Sequence, residues 1–151
     1  MIETIEPLIR NHPVFNTLTP EHIKLIVGCA SNVVYKPGVH VFKEGDEANT
    51  FFLVRQGRIF VETYTERGDA IGIQSVGDGE VLGWSWLIPP YKWHFDARVV
   101  EQSRLIAVNG ECLRGKFEND HNLGYSMMTK FMEIMTHRLE STRLQLLDIY
   151  R

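Results

Sequence analysis

Hydrophobic positions change their spacing twice along the chain, which divides it into a helical start, a strand-rich middle and a helical end. In the first 30 residues, apolar residues recur every three or four positions, the spacing of one helix face. Pro13 interrupts this pattern. Thr19 followed by Pro20 and Glu21 is typical of a helix start, with Thr19 as the N-cap. The sequence therefore predicts two helices within residues 1–30.

Between residues 33 and 108 the pattern is that of short strands separated by turns such as Lys36-Pro37-Gly38. Since no helical segment separates most of the apolar runs, an antiparallel sheet is favoured over a parallel one. We predict an eight-stranded antiparallel jelly-roll barrel, a closure that leaves few exposed strand edges. The eight predicted strands are Val33–Tyr35, Val39–Phe42, Phe51–Val54, Arg58–Tyr64, Ala70–Val76, Glu80–Gly83, Phe95–Val100 and Ser103–Val108.

After the last predicted strand the spacing becomes helical again and continues to the C-terminus. Asn109 is placed to cap a short helix, and Asn119-Asp120 to open a long one. The long helix carries apolar residues around a wide arc, more than one neighbouring sheet can cover. Because this surplus needs a partner, we predict a homodimer through the C-terminal helix.

The expected fold is mainly β with flanking helices, in one domain over residues 1–151: helices in 1–30, the barrel in 33–108 and helices in 109–151. A length of 151 residues is that of one ordinary domain. The net charge of -3 provides no global basic field for a polyanion. We expect no specific DNA binding, since a recognition module after the long helix would need chain beyond Arg151.

Cys29 and Cys112 belong to no CxxC pair, and neither lies beside a histidine at metal-ligand spacing. We expect two separate buried thiols, as is usual for lone cysteines in apolar surroundings. The six histidines form no HxH or HExxH motif, so we expect no metal site and no cofactor. The N-terminus lacks signal-peptide features, and no apolar run approaches the ~20 residues that span a bilayer. These features predict a cytoplasmic protein that does not bind membranes.

The segment that starts at Gly83 combines features of a binding loop. A glycine that leads into a short helical turn, with Ser85 two positions on, leaves backbone N–H groups unpaired, and such groups attract an anion. Ser85 either offers its hydroxyl to a phosphate or caps the turn. The same segment contains three tryptophans, Trp84, Trp86 and Trp93. They either form a stacking wall for a flat ligand or fill the barrel mouth as core residues.

The order of the turn motifs resembles that of the cyclic nucleotide-binding domain family over roughly residues 13 to 150. The motifs are Lys36-Pro37-Gly38, Phe42-Lys43-Glu44-Gly45-Asp46, Phe52-Leu53-Val54, Gln56-Gly57 and Gly77-Asp78-Gly79-Glu80-Val81-Leu82-Gly83. The resemblance implies a regulatory domain in signalling, in which a short helix after Gly83, the phosphate-binding cassette, holds a cyclic phosphate by backbone N–H groups. No nucleophile elbow, P-loop or Ser/His/Asp arrangement points to an enzyme.

Two positions depart from the family pattern. The Ala-x-Val motif of the family matches residues 97–99, and its glycine matches Gly83. The glutamate that bonds the ribose hydroxyl would then fall at Trp84, and the arginine that pairs with the phosphate at Phe95. Strand alternation directs Phe95 into the barrel and Arg98 to the opposite face.

We predict a ligand site at the cassette positions, with two accessory residues: Gly83, Trp84, Ser85, Trp86, Phe95 and Ala97, accompanied by His94 and Arg98. The expected function is a non-catalytic sensor of a cyclic nucleotide or a related phosphorylated compound, with weak binding of cyclic AMP and cyclic GMP. The alternative is a degenerate protein-interaction or dimerisation module that binds no nucleotide. Lys92 and Arg98 are expected to be solvated surface charges.

Overall fold

The computed structural model describes the backbone of residues 2–150 and the side chains of residues 5–150; Met1 and Arg151, the ends of the predicted domain, lie outside the described residues. The helices are α1 (Ile2–Asn11), α2 (Pro20–Val27), α3 (Gly110–Asn119) and α4 (His121–Ile149). The strands are β1 (Ala30–Tyr35), β2 (His40–Phe42), β3 (Thr50–Tyr64), β4 (Ala70–Val76), β5 (Val81–Leu82) and β6 (Asp96–Asn109). One 3-10 turn, Ser85–Leu87, lies between β5 and β6. None of the helices within residues 2–150 is both long and apolar enough to cross a membrane.

The predicted helix starts are confirmed by their caps. The side-chain oxygens of Thr19, Asn109 and Asp120 each accept a hydrogen bond from the backbone N–H three residues later, at 3.2, 2.9 and 3.1 Å. Each bond satisfies one of the N–H groups that a helix start leaves unpaired. His22, in the first turn of α2, also lies 2.9 Å from the Asp120 carboxylate, which joins the starts of α2 and α4.

The sheet has six strands, so the prediction of eight is wrong. Strand β3 contains the third and fourth predicted strands, and β6 contains the eighth and all of the seventh except Phe95. The two long strands stay paired through register shifts around Gly57 instead of turning back. Gly57 has φ 135°, and a Cβ there would lie 2.1 Å from the Ser103 hydroxyl oxygen. Gln56-Gly57 is thus a bulge that bends a continuous ladder, although its sequence is also typical of a turn.

All strand pairs are antiparallel, in the order β1-β6-β3-β4, with β2 pairing with β6 and β5 with β3. The sheet is open, whereas the sequence analysis predicted a closed barrel. The coarser prediction, a mainly antiparallel β fold with helices at both ends, is confirmed.

The buried side chains form two clusters. One lies within the curved sheet and includes Phe42, Ile59, Trp93, Ala97 and Leu105. The other joins the helices to the opposite face of the sheet, since Phe51 of β3 belongs to it while Phe52 belongs to the first cluster. Its large members include Phe15, Phe51, Trp86, Leu123 and Phe131. The first half of α4 is therefore anchored to the sheet by apolar burial, the main favourable contribution to folding.

Cys29 and Cys112 form a disulfide, so the expectation of two separate thiols is wrong in this structure. Cys29 follows α2, and Cys112 lies in the first turn of α3. The backbone N–H of Asn109 donates to the Cys29 carbonyl at 2.8 Å, and this bond holds the two segments together. The two Cα atoms are 5.9 Å apart, within the usual range for a disulfide.

Reduction of the disulfide is expected to destabilise the domain, because the bond links positions 83 residues apart and so restricts the unfolded chain. A loss of about 2–4 kcal/mol is typical for such a bond. Urea unfolding with and without dithiothreitol measures the loss. The double variant Cys29→Ala/Cys112→Ala is the control and should not respond to the reductant. Equal unfolding midpoints for the wild type under both conditions would contradict a stabilising disulfide.

Candidate functional site

The predicted binding segment begins where β5 ends. Gly83 has φ 97°, a left-handed conformation that glycine adopts without the steric cost of a Cβ. The short helix expected after it is a single 3-10 turn, Ser85–Leu87. Trp84 precedes this turn as its N-cap and makes no side-chain capping hydrogen bond, while Ser85 is buried. A turn of three residues offers few free N–H groups to an anion.

The indole of Trp93 fills the space in front of this turn. It lies flat on the ring of Phe42, with 3.7 Å between ring centroids and 8° between planes, and is only 6% exposed. Its edge also contacts Gly83, where an added Cβ would lie 2.6 Å from Cη2 of the indole. Trp93 is therefore a core residue packed on the sheet beside the cassette. Of the two roles considered from the sequence, a stacking wall or a core residue, it has the second.

The cavity that remains at the cassette has a volume of about 20 Å³. A space of this size holds about one water molecule, whereas pockets for small organic ligands are usually about 300–1,000 Å³. Gly83, Trp84, Ser85, His94 and Phe95 line it together with neighbouring apolar residues. A nucleotide does not fit into this cavity with the side chains as they are placed.

Five of the eight predicted site residues, those just named, thus come together around this cavity. Trp86 and Ala97 are fully buried elsewhere. Trp86 stacks on Phe51 with 4.8 Å between ring centroids, and Ala97 lies within the sheet cluster. Both serve the core, since neither borders the cavity.

Arg98 points away from the cavity and pairs with Glu62. Its guanidinium donates two hydrogen bonds to the carboxylate, at 2.8 and 3.2 Å. Glu62 is 3% exposed, so the pair satisfies a buried charge. These bonds and the negative charge of Glu62 raise the pKa of Arg98 above its usual value. Arg98 is thus a partly exposed charge that is paired with Glu62, whereas Lys92 is exposed.

Arg138 is a residue at this site that the sequence analysis missed. It lies on α4, with its Cζ 5.0 Å from the centroid of the Trp84 ring, and it donates a hydrogen bond to the Val81 carbonyl. A second nitrogen, Nη1, is buried without a hydrogen-bond partner. Burial lowers the pKa of Arg138. One signal was available: position 138 follows the buried Phe131 by seven residues, which places it on the sheet-facing side of α4.

A larger groove, of about 440 Å³, opens between the cassette, β4 and α4. Its walls are mainly apolar and include Ile73, Trp84, Phe95, Met135 and Leu139. Arg138 also lines it.

Within residues 2–150, His, Cys, Asp and Glu side chains form no group of three or more that could hold a metal ion.

Known proteins share this architecture. The family model of the cyclic nucleotide-binding domain matches residues 32–120 of the chain. The cyclic AMP receptor protein of Thermus thermophilus is 25% identical over 100 residues, which cover 66% of this chain. The chain spans about half the length of that relative, since the match covers 46% of it.

Solved structures agree with this assignment. A crystal structure from Geobacter metallireducens GS-15, provisionally named a cyclic nucleotide-binding protein, has a TM-score of 0.80 at 28% identity and covers 89% of this chain and 97% of its own. The sensor domain of the transcriptional regulator DNR from Pseudomonas aeruginosa has a TM-score of 0.75 at 16% identity. That match covers 92% of this chain and 93% of the sensor domain, and it shows a shared fold.

The position of Trp93 can be tested by Gly83→Ala. The added methyl group must displace the indole of Trp93, and the alanine must also adopt a left-handed backbone conformation. Gly68→Ala is the matched control, because Gly68 has a similar φ of 88° and nothing within 4 Å of the added Cβ. Overpacking typically costs about 1–3 kcal/mol, so we expect Gly83→Ala to be more destabilising than Gly68→Ala by that amount in urea unfolding. Equal losses would mean that Trp93 does not pack against Gly83 in solution.

Proposed function

Because the chain belongs to the cyclic nucleotide-binding domain family, we propose that it is a non-catalytic regulatory domain, a sensor with an altered cassette. In this proposal, cyclic AMP and cyclic GMP bind weakly or not at all. The observation that carries it is the stack of Trp93 on Phe42, which leaves about 20 Å³ at the cassette.

The side chains around the cassette cavity also lack the chemistry for a phosphate. Among the residues that line it, His94 alone has an ionisable side chain, and it is exposed. The family resemblance requires an arginine at Phe95 and a glutamate at Trp84. An apolar ring at the phosphate position adds a desolvation cost instead of a charge-assisted bond. We therefore propose that the ligand, an organic phosphate or a related anion, does not bind in the way cyclic AMP binds in the family.

The alternative function is dimerisation or protein interaction without any nucleotide, and α4 supports it. Residues at alternating spacings of three and four form an exposed or half-buried row along this helix, the seam: Tyr125, Met128, Met132, Met135, Leu139, Thr142, Leu146 and Ile149. Such spacing is typical of a two-stranded coiled coil. Leu123, Met127 and Phe131 lie on the other face and are buried against the sheet. We propose that the seam joins two copies of the chain, a role that is also compatible with a sensor.

Location and other partners are proposals as well. We propose a cytoplasmic protein. Disulfides are uncommon in that reducing compartment, so Cys29 and Cys112 would pair there only under oxidising conditions. We propose no specific DNA binding for this domain, whose net charge is -3.

Calorimetric titration with cyclic AMP and cyclic GMP tests the sensor proposal. We expect no binding, or binding weaker than a family-like site by one to two orders of magnitude, because a missing charged hydrogen bond costs about 1.5–3 kcal/mol and ~1.4 kcal/mol is tenfold in affinity. The variant Trp84→Glu/Trp93→Ala/Phe95→Arg should gain affinity, since it opens the cavity and restores both polar groups. Trp93→Ala alone, the control, opens the space without ligating groups and should not. Low-micromolar binding by the wild type would contradict the proposal.

Light scattering tests the dimer. We expect a mass of twice 17.4 kDa for the wild type. The double variant Leu139→Arg/Leu146→Arg should be monomeric, because it places charges within an apolar seam. The control, Glu140→Arg/Leu147→Arg, adds two arginines on α4 at positions off the seam and should remain a dimer. A wild type that is monomeric at high micromolar concentration would overturn the prediction.

A further inference from the structure

Arg138 links the long helix to the cassette by its side chain. Its donated hydrogen bond goes to Val81, two residues before Gly83, and its guanidinium lies over the Trp84 ring. Glu80 is the acidic residue whose charge acts on it, and no ion pair joins the two in the described part of the chain. The positive charge of Arg138 thus lies at the cassette without a paired carboxylate.

The free donor on this guanidinium is the unusual feature. Nη1 of Arg138 is buried, and among the described residues no oxygen accepts its hydrogen bonds. A buried polar group without a partner costs more than one that water or a protein group satisfies. Desolvation, the cause that lowers the pKa of Arg138, expresses the same cost. An anion in the groove would supply the missing charge, and a small turn of the Arg138 side chain toward it would give Nη1 the acceptor that it lacks.

The groove beside Arg138 has room for such a ligand. Its volume of about 440 Å³ lies within the usual range for small-molecule pockets, unlike that of the cassette cavity. Trp84 and Phe95 provide aromatic walls on the sheet side, and Met132 and Met135 provide adaptable walls on the helix side. Gln74, Thr136 and Thr142 are the remaining polar residues of the lining.

We propose that this groove is the ligand site of the domain and that it binds an organic anion with a flat apolar body, whose anionic group pairs with Arg138. The body lies between Trp84 and Phe95 on one side and the methionines of α4 on the other. The proposal rests on the proposed sensor function and names the class of its ligand, a single anionic group (carboxylate, sulfonate or phosphate ester) on an aromatic or apolar frame. The cation of this site, Arg138, lies on α4, whereas the family resemblance places the phosphate-binding arginine on the strand after the cassette, at Phe95.

Two naphthalene probes of similar shape test the proposal on the full chain. Anilinonaphthalene sulfonate carries one anionic group, and N-phenyl-1-naphthylamine carries none. We expect the wild type to bind both with increased fluorescence, and Arg138→Gln to weaken the sulfonate about tenfold or more while it leaves the neutral probe unchanged. Arg138→Lys should be intermediate, since it keeps the charge without the planar donors. Arg143→Gln, a neighbouring arginine outside the groove, should change neither probe.

A second pair of variants avoids any loss of folding in Arg138→Gln. Gln74→Glu places a carboxylate on β4 in the lining of the groove, away from the seam of α4, where it competes with the ligand for the Arg138 guanidinium. Gln145→Glu makes the same exchange on α4, outside the groove. We expect the former alone to weaken the sulfonate probe. The proposal is overturned if Arg138→Gln and Gln74→Glu leave sulfonate affinity unchanged, or if they weaken both probes equally.

Titration of the same preparations with cyclic AMP separates this proposal from the sensor proposal. If Arg138→Gln leaves sulfonate affinity unchanged and cyclic AMP does not bind, the groove is not the ligand site, and the proposal of an altered cassette is retained. If cyclic AMP binds tightly and Arg138→Gln does not affect it, the cassette is functional and both proposals fail. If cyclic AMP displaces the sulfonate and needs Arg138, the groove is the site, and only the claim of weak cyclic AMP binding is wrong.

Discussion

The proposed function depends on one packing interaction, the stack of Trp93 on Phe42 against Gly83. The buried indole packs against Gly83, beside the turn where the family resemblance places the phosphate of the ligand. Protein interiors are packed so closely that a second large group cannot share that space. The turn after β5 has Gly83 in a left-handed conformation, and the cavity beside it has a volume of about 20 Å³.

The proposed ligand site lies instead at the junction of the cassette and α4. Trp84 faces the groove, and the guanidinium of Arg138 lies over its ring. Met135 and Leu139 line this groove and also belong to the seam of α4. Ligand binding and pairing of two chains would therefore act on the same helix, which gives a sensor a direct path from ligand to assembly.

Local signals made most of the fold predictable, because caps and periodicity depend on residues close together in sequence. Thr19, Asn109 and Asp120 cap helices where expected. The long strands β3 and β6 were each predicted as two, since Gln56-Gly57 has the composition of a turn and only its pairing with the distant Ser103 makes it a bulge. The same limit applies to the site: the disulfide and the contacts of Trp93 and Arg138 join residues far apart in sequence, and spacing along the chain does not report such contacts.

The most direct test of the account is the nuclear Overhauser effect between the Hη2 proton of Trp93 and the Hα protons of Gly83, measured with and without excess cyclic AMP. If the indole fills the cassette, this effect is strong in the free protein and unchanged when cyclic AMP is added. Its absence in the free protein, or its loss on addition of cyclic AMP together with shifts of the cassette amide signals, would contradict the account, because the site would then be open to the nucleotide.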